Sequence, residues 1–139
     1  MQVRRFICLT LMTLCFVGLA QAQQQCLHNE DESTSEKARI RAVVTAVRIL
    51  NTAEIRYWAE HKKFGTFDEL LASTSFNVSI ARNQEVTFQS NTDVVPGFEL
   101  RVTTDGTKYN ISVLDKTDPC KYSVFSSDVG IIYQGYPIL

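Results

Sequence analysis

Histidine is scarce in this chain, and the sequence lacks the short motifs that mark the common classes of enzyme. Only two histidines, His28 and His61, occur among 139 residues, and neither has a second histidine, a cysteine or a carboxylate at metal-ligand spacing. No nucleophile elbow, phosphate-binding loop or dinucleotide-binding fingerprint is present. The sequence therefore predicts a protein that is not an enzyme and that binds no metal and no cofactor.

A run of basic residues is also missing. Fourteen lysines and arginines are set against fifteen aspartates and glutamates, which leaves a formal net charge of −1. A nucleic-acid-binding domain needs a basic patch or stripe to neutralise phosphates. We therefore expect no nucleic-acid partner.

The chain begins with a segment typical of a secretory signal. Two arginines precede an uncharged, mostly apolar run at Phe6–Leu19, which is shorter than the roughly 20 residues that span a bilayer as a helix. Ala20 and Ala22 then supply the small residues that a signal peptidase recognises. We predict a signal peptide at residues 1–22, cleavage after Ala22, and a periplasmic or secreted protein without stable membrane insertion. An uncleaved anchor is the alternative.

The four cysteines divide into two pairs. Cys8 and Cys15 would leave with the signal peptide, and Cys26 and Cys120 would remain in an oxidising compartment. An even number of cysteines in an exported domain favours a disulfide. We predict a Cys26–Cys120 disulfide, and two free thiols are the alternative.

A long helix is predicted for Ser35–Lys62, after a flexible leader at residues 23–34. Ser33 and Glu36 have the spacing of a capping box. Apolar residues then recur at helical spacing, with a second apolar shoulder beside them. The main stripe is Ile40, Val43, Val47, Leu50, Ala53 and Tyr57, and the shoulder is Val44, Ile55 and Trp58. Gly65 is expected to end the helix, and Thr66 and Glu69 to open a short second one.

Two polar side chains lie one helical turn apart beside the apolar stripe. Asn51 and Glu54 are predicted to form a structural polar seam that satisfies backbone groups between helix and sheet. A ligand-binding role for this pair is the alternative.

The hydrophobic period changes to two from Gly97 onward, which predicts antiparallel strands. The predicted runs are Phe98–Val102, Tyr109–Leu114, Tyr122–Phe125 and Ile131–Gln134, with one further short strand at Glu85–Gln89. The pattern indicates a single α+β domain at residues 35–139. We expect one long N-terminal helix packed on a three- to four-stranded antiparallel sheet.

Six segments of the chain resemble the globular domains of bacterial type IV pilin-like proteins and pseudopilins. In those domains an asparagine, an alanine-glutamate pair and a tyrosine lie on the helix, before an aromatic-glycine turn and a short leucine-containing helix. The matching segments here are Arg48–Tyr57 and Lys63–Leu70, and Gly97–Leu100, Tyr109–Val113, Tyr122–Phe125 and Asp128–Ile132 are similar to the strand meander. The resemblance implies a pilin-like fold over about residues 38–134.

The N-terminus departs from the pilin pattern. A prepilin has a glycine before its apolar segment and a glutamate at the fifth mature position, whereas Gly18 follows the apolar segment here and the fifth residue after it is Gln23. A prepilin peptidase site is therefore absent. Together with the signal peptide, the resemblance implies an exported pilin-like domain with a structural or protein-interaction role and an unidentified protein partner of the cell envelope. The alternative is a small-ligand-binding or sensing module of the envelope.

Overall fold

The computed structural model describes residues 33–74, 76–77, 86, 88, 94–118, 120 and 122–135. The helices and strands that can be bounded within these residues are α1 Thr34–His61, α2 Phe67–Ala72, β1 Phe98–Thr104, β2 Tyr109–Asp115, β3 Ser123–Ser127 and β4 Tyr133–Gly135. The predicted signal peptide and Cys26 lie outside the described residues, so the cleavage site and the disulfide stay predictions.

Helix α1 begins directly after the cap residue Ser33. The Ser33 hydroxyl accepts a hydrogen bond from the backbone N–H of Glu36 at 3.2 Å, so the helix begins at Thr34, one residue before the predicted start. The prediction that Gly65 ends the helix was wrong. Lys62 takes the left-handed conformation instead, with φ of 59°, and donates its N–H to the carbonyl of Trp58. A left-handed lysine is uncommon and is not indicated by local sequence.

Helix α2 begins with the predicted capping box. The Thr66 hydroxyl accepts from the Glu69 N–H at 3.3 Å, and the Glu69 carboxylate accepts from the Thr66 N–H at 2.7 Å. Two backbone donors at the helix start are satisfied by this exchange. The box therefore fixes the direction in which the chain leaves the corner between the two helices.

Removing this cap should lower stability by a measurable amount. We expect Thr66→Ala to reduce the free energy of unfolding by about 1 kcal/mol, because the Glu69 N–H loses its acceptor. Urea unfolding measures the change. Thr52→Ala is the matched control, since Thr52 is an exposed threonine that bonds only to the Arg48 carbonyl of its own helix, and its loss should stay within about 0.5 kcal/mol. Equal losses in both variants would contradict the role of the cap.

The four strands form one antiparallel sheet in the order β1-β2-β3-β4. Helix α1 packs against β2 and β3, which confirms the predicted α+β arrangement of a long helix on an antiparallel sheet. Side chains of alternate strand positions meet the helix because successive residues of a strand point to opposite faces. The buried residues at this interface include Val43, Ala46, Val47 and Leu50 of α1 and Leu100, Ile111, Val113 and Val124 of the sheet.

The buried face of α1 is displaced from the predicted one, because three residues outside the predicted stripe are buried and part of the shoulder is exposed. Those three residues are Ala42, Ala46 and Ile49. Ile55 and Trp58 of the predicted shoulder are 52% and 45% exposed. Val44 is half-buried and packs against the core. No described helix combines the length and the apolarity needed to cross a bilayer.

Part of the segment between α2 and β1 contributes to the core. Val86 and Phe88 are buried, and the Phe88 ring lies 5.0 Å from the Phe76 ring between centroids. The predicted strand at Glu85–Gln89 falls mostly outside the described residues, and neither Val86 nor Phe88 is in a strand.

Candidate functional site

The corner between α1 and α2 contains a fully buried carboxylate. Glu54 lies on the same face of α1 as Leu50 and Tyr57 and is 0% exposed. Its Oε2 accepts a hydrogen bond from the backbone N–H of Gly65 at 2.9 Å. Its Oε1 is buried without a hydrogen-bond partner among the described residues. The side chain therefore joins the helix to the turn that follows it, through one oxygen only.

Burial is the main influence on this carboxylate. It raises the pKa of Glu54 to about 7, against the opposing effect of the Gly65 hydrogen bond, and the charge of Glu69 raises it further. Desolvation disfavours the ionised form because the surroundings stabilise a charge less well than water does. A pKa near neutrality is a property of many catalytic acids and bases, but it also arises in structural carboxylates.

Gly65 lies close to the side chains that cover the carboxylate. A Cβ atom at this position would lie 3.1 Å from the Tyr57 ring and 3.2 Å from Leu70. A larger residue here would require the Tyr57 ring or Leu70 to move by a few tenths of an ångström, so glycine suits the close approach by which the turn's N–H reaches Glu54.

Asn51 lies at the interface between helix and sheet. Its Nδ2 donates to the Ser126 hydroxyl at 2.8 Å, and its Oδ1 accepts from the Tyr109 hydroxyl at 3.1 Å. Ser126 in turn donates to the carbonyl of Ile131 at 3.0 Å. Burial raises the pKa of Tyr109 to about 12, so this phenol is neutral at physiological pH and donates. These bonds connect α1, β2, β3 and the approach to β4.

A second buried carboxylate, Asp115, lies at the end of β2 and was not singled out by sequence reasoning as a partner of the helix. It is 1% exposed, and its Oδ2 lies 3.3 Å from Nη2 of Arg39 on α1. Its Oδ1 accepts from the Thr117 N–H and hydroxyl and from the Asp118 N–H. Asp115 is therefore surrounded by donors, and Arg39 supplies the positive charge.

The same arginine contacts the turn that precedes β1. Its guanidinium lies 4.9 Å from the centre of the Phe98 ring, and Nη2 also approaches the Pro96 carbonyl at 3.4 Å. Gly97 has φ of +87°, and a Cβ there would lie 3.0 Å from Arg39 and from Thr117. The contact with the guanidinium thus requires a glycine at position 97.

A shallow cleft of about 450 Å³ lies between the end of α1 and α2. The Tyr57 and His61 rings are 4.2 Å apart between centroids at its edge, and Lys63 pairs with Glu69 at 2.7 Å beside it. Its lining is Tyr57, Glu60, His61, Glu69, Ala72, Ser73 and Thr74. Neither Asn51 nor Glu54 lines it, although Tyr57 and Glu69 of its lining interact with Glu54.

Across the ranges that the structure describes, no group of three histidine, cysteine, aspartate or glutamate side chains could hold a metal ion. Cys120, the described half of the predicted disulfide, is buried. Its backbone N–H donates to Oδ1 of Asp118 at 2.8 Å. His28 lies outside the described residues.

The outer face of the sheet, turned away from α1, exposes apolar side chains that the sequence analysis did not single out. Phe125, Ile131 and Tyr133 are between 44% and 55% exposed, and Val129 at the adjoining turn is 69% exposed. A clustered apolar surface of this kind is typical of interaction sites. A signal was present in the sequence, since Ile131 and Tyr133 alternate with the inward-facing Ile132.

No family model, curated protein or solved structure matches the chain.

Proposed function

We propose that this protein is an exported pilin-like domain that acts by protein contact and performs no chemistry of its own. The observation that carries the proposal is the exposed apolar surface of the β3–β4 hairpin. Its side chains, Phe125, Val129, Ile131 and Tyr133, are four of the six large hydrophobic residues that are exposed within the described residues. The order of one long helix, one short helix and an antiparallel meander is also the order that the pilin resemblance implies.

The polar side chains of the interior support the same proposal. Asn51 bonds to the sheet, and Glu54 bonds to the turn at Gly65. Arg39 pairs with Asp115. Acid–base catalysis needs such groups within reach of a substrate, whereas these groups connect one element of the fold with another.

The experiment combines export with contact mapping. The full chain is expressed in a bacterium, and the intact mass of the exported protein is measured. We expect a mass that lacks residues 1–22. A photo-crosslinking amino acid at position 131 should then give a discrete cross-linked protein species in cells, and the same amino acid at the exposed helix position Ile55 should not. Retention of residues 1–22, or no hairpin-specific product, would contradict the proposal.

The second candidate is a small-ligand-binding module, which the cleft beside Tyr57 and His61 favours. It holds aromatic, acidic and hydroxyl groups in one place, as ligand sites commonly do. Addition of the small-molecule fraction of a cell extract would then shift the NMR signals of His61 and Ser73. Unchanged signals there, with a cross-link at position 131, would exclude this candidate.

A further inference from the structure

The outer face of the sheet carries two neighbouring rows of side chains that cross all four strands. The strand register aligns the first row as Arg101, Ser112, Phe125 and Tyr133, and the second as Glu99, Leu114, Ser123 and Gly135. The rows are two residues apart along each strand, which is about 7 Å.

The two rows are opposite in character at every strand. On β1 the first row has a cation, Arg101, and the second an anion, Glu99. On β2 the first row is small and the second large, at Ser112 and Leu114. On β3 and β4 the order of size reverses, because large aromatic rings of the first row lie beside a serine and a glycine of the second. Those pairs are Phe125 with Ser123 and Tyr133 with Gly135.

The pairs on β1, β2 and β3 line a groove on this face. The differences in side-chain size between the two rows therefore shape the surface. The lining residues are Glu99, Arg101, Ser112, Leu114, Ser123 and Phe125. Phe125 in the groove lining and Tyr133 next to it are 44% and 55% exposed, whereas Ser123 is only 7% exposed. At β2, β3 and β4 a large side chain of one row therefore lies beside a small residue of the other row.

We propose that two copies of this chain associate through their outer sheet faces, with the first row of each copy packed on the second row of the other. The inference deepens the protein-contact function proposed above, on which it rests, by naming the partner.

The geometry follows from a two-fold axis that lies between the two rows, in the plane of the interface and perpendicular to the strands. Such an axis places each strand over its own counterpart and reverses its direction, so the contact is self-complementary. Arg101 then meets the partner's Glu99, Phe125 meets the partner's Ser123, and Tyr133 meets the partner's Gly135. Stacked sheets lie about 10 Å apart and cross at about 30°, which long side chains such as Arg101 can bridge at the outer strand.

The size of the face determines how strong the association can be. Four strands about 4.8 Å apart and four or five residues along each cover on the order of 300 Å² in plan. Stable complexes bury roughly 800 Å² on each partner. We therefore expect a reversible dimer whose population rises with concentration, rather than an obligate one.

Sedimentation velocity of the purified protein over a range of concentrations tests the apolar part of the contact. We expect concentration-dependent dimerisation, weakened at least tenfold by Phe125→Ser combined with Tyr133→Ser. The matched control is Ile55→Ser combined with Trp58→Ser, which removes equally exposed apolar side chains from α1. Dimerisation of this control should be unchanged. Circular dichroism and thermal unfolding verify that every variant is folded.

Charge reversal tests the two-fold arrangement itself. Arg101→Glu places a glutamate opposite the partner's Glu99 at two symmetric positions, so we expect association to weaken at least tenfold. Adding Glu99→Arg restores both opposite-charge pairs and should restore the dimer. A wild-type protein that is monomeric at every concentration, or a double variant that fails to recover, would overturn the inference.

The outcomes separate this inference from the function on which it rests. A monomeric protein whose cross-link from position 131 leads to a different envelope protein overturns the second copy as partner and leaves the contact function standing. A monomer that gives no such cross-link to any protein overturns both.

Discussion

Replacing Glu54 by glutamine should remove a large part of the pH dependence of stability between about pH 4.5 and pH 7. Burial raises the pKa of this carboxyl from 4.5 to about 7 in the folded protein. The folded state therefore binds a proton in this range that the unfolded state has already lost. The stabilisation is fully present below pH 4.5, and it is lost as pH rises through about 7.

The size of this effect follows from the difference between the two pKa values. A difference of this size corresponds to about 3 kcal/mol of unfolding free energy. Wild-type protein should lose this amount between pH 4.5 and pH 7.5, and Glu54→Gln should not. The glutamine keeps an acceptor for the Gly65 N–H and carries no charge, so we expect the variant to be more stable than wild type at pH 8.

Urea unfolding at several pH values measures both curves, with Glu60→Gln as the control. Glu60 is on the same helix, but its side chain is 63% exposed, so its replacement should leave the curve unchanged. Besides burial, the groups that act on Glu54 are the Gly65 N–H and the carboxylate of Glu69, which is paired with Lys63. The phenols of Tyr57 and Tyr109 lie near Glu54, and burial together with the charge of Glu54 raises the pKa of both, so they stay neutral over the tested range. The pKa of Glu69 is lowered to about 2, chiefly by Lys63, so its contribution falls below the tested range. A Glu54→Gln curve parallel to that of wild type would contradict the prediction.

The burial of Glu54 could be predicted from the sequence, but its hydrogen-bond partner could not. Val47, Leu50, Glu54 and Tyr57 share the three- and four-residue spacing of one helix face, so a carboxylate at position 54 falls on the apolar stripe. Its partner is the N–H of Gly65, which reaches it after Lys62 turns into a left-handed conformation. That turn depends on how the two helices pack, and such packing is not contained in local spacing.

The strands were predicted from a pattern of period two, which is a local property. Residues Phe98, Leu100, Tyr109 and Ile111 alternate with polar neighbours and are buried as expected. The strand bounds differ by up to two residues from prediction, and β4 begins at Tyr133 rather than Ile131. The rows on the outer face could not be predicted, because they depend on register, which turn geometry and packing fix.

For Asp115, local strand alternation predicts the burial of the side chain, but it does not predict which residue pairs with it. It continues the inward positions of Tyr109, Ile111 and Val113 on β2, so the alternation places a carboxylate at the buried face. A buried charge requires a partner of opposite sign. The partner, Arg39, is 76 residues away in the sequence, and no periodic pattern relates the two positions.

Loss of Arg39 should be the most destabilising of the changes considered. Asp115 is 1% exposed, and Arg39 holds its carboxylate while also covering the Phe98 ring. Removing one member of a fully buried ion pair leaves an uncompensated charge, which costs about 3–5 kcal/mol, but here only Asp115 is fully buried and the Arg39 side chain is 32% exposed. Because Thr117 still donates to Asp115, we expect Arg39→Met to lower the unfolding free energy by about 3 kcal/mol.

Two further variants separate the ion pair from other effects of the substitution. Arg41→Met is the control, because Arg41 lies two residues along α1 on the exposed side of the helix, and its loss should change stability by less than about 0.5 kcal/mol. Adding Asp115→Asn to Arg39→Met removes the orphaned charge and keeps an oxygen that accepts from Thr117. Chemical unfolding should then find the double variant more stable than Arg39→Met alone. A double variant that is less stable would show that Arg39 acts through its packing on Phe98 or its 2.8 Å ion pair with Glu36, rather than through the charge of Asp115.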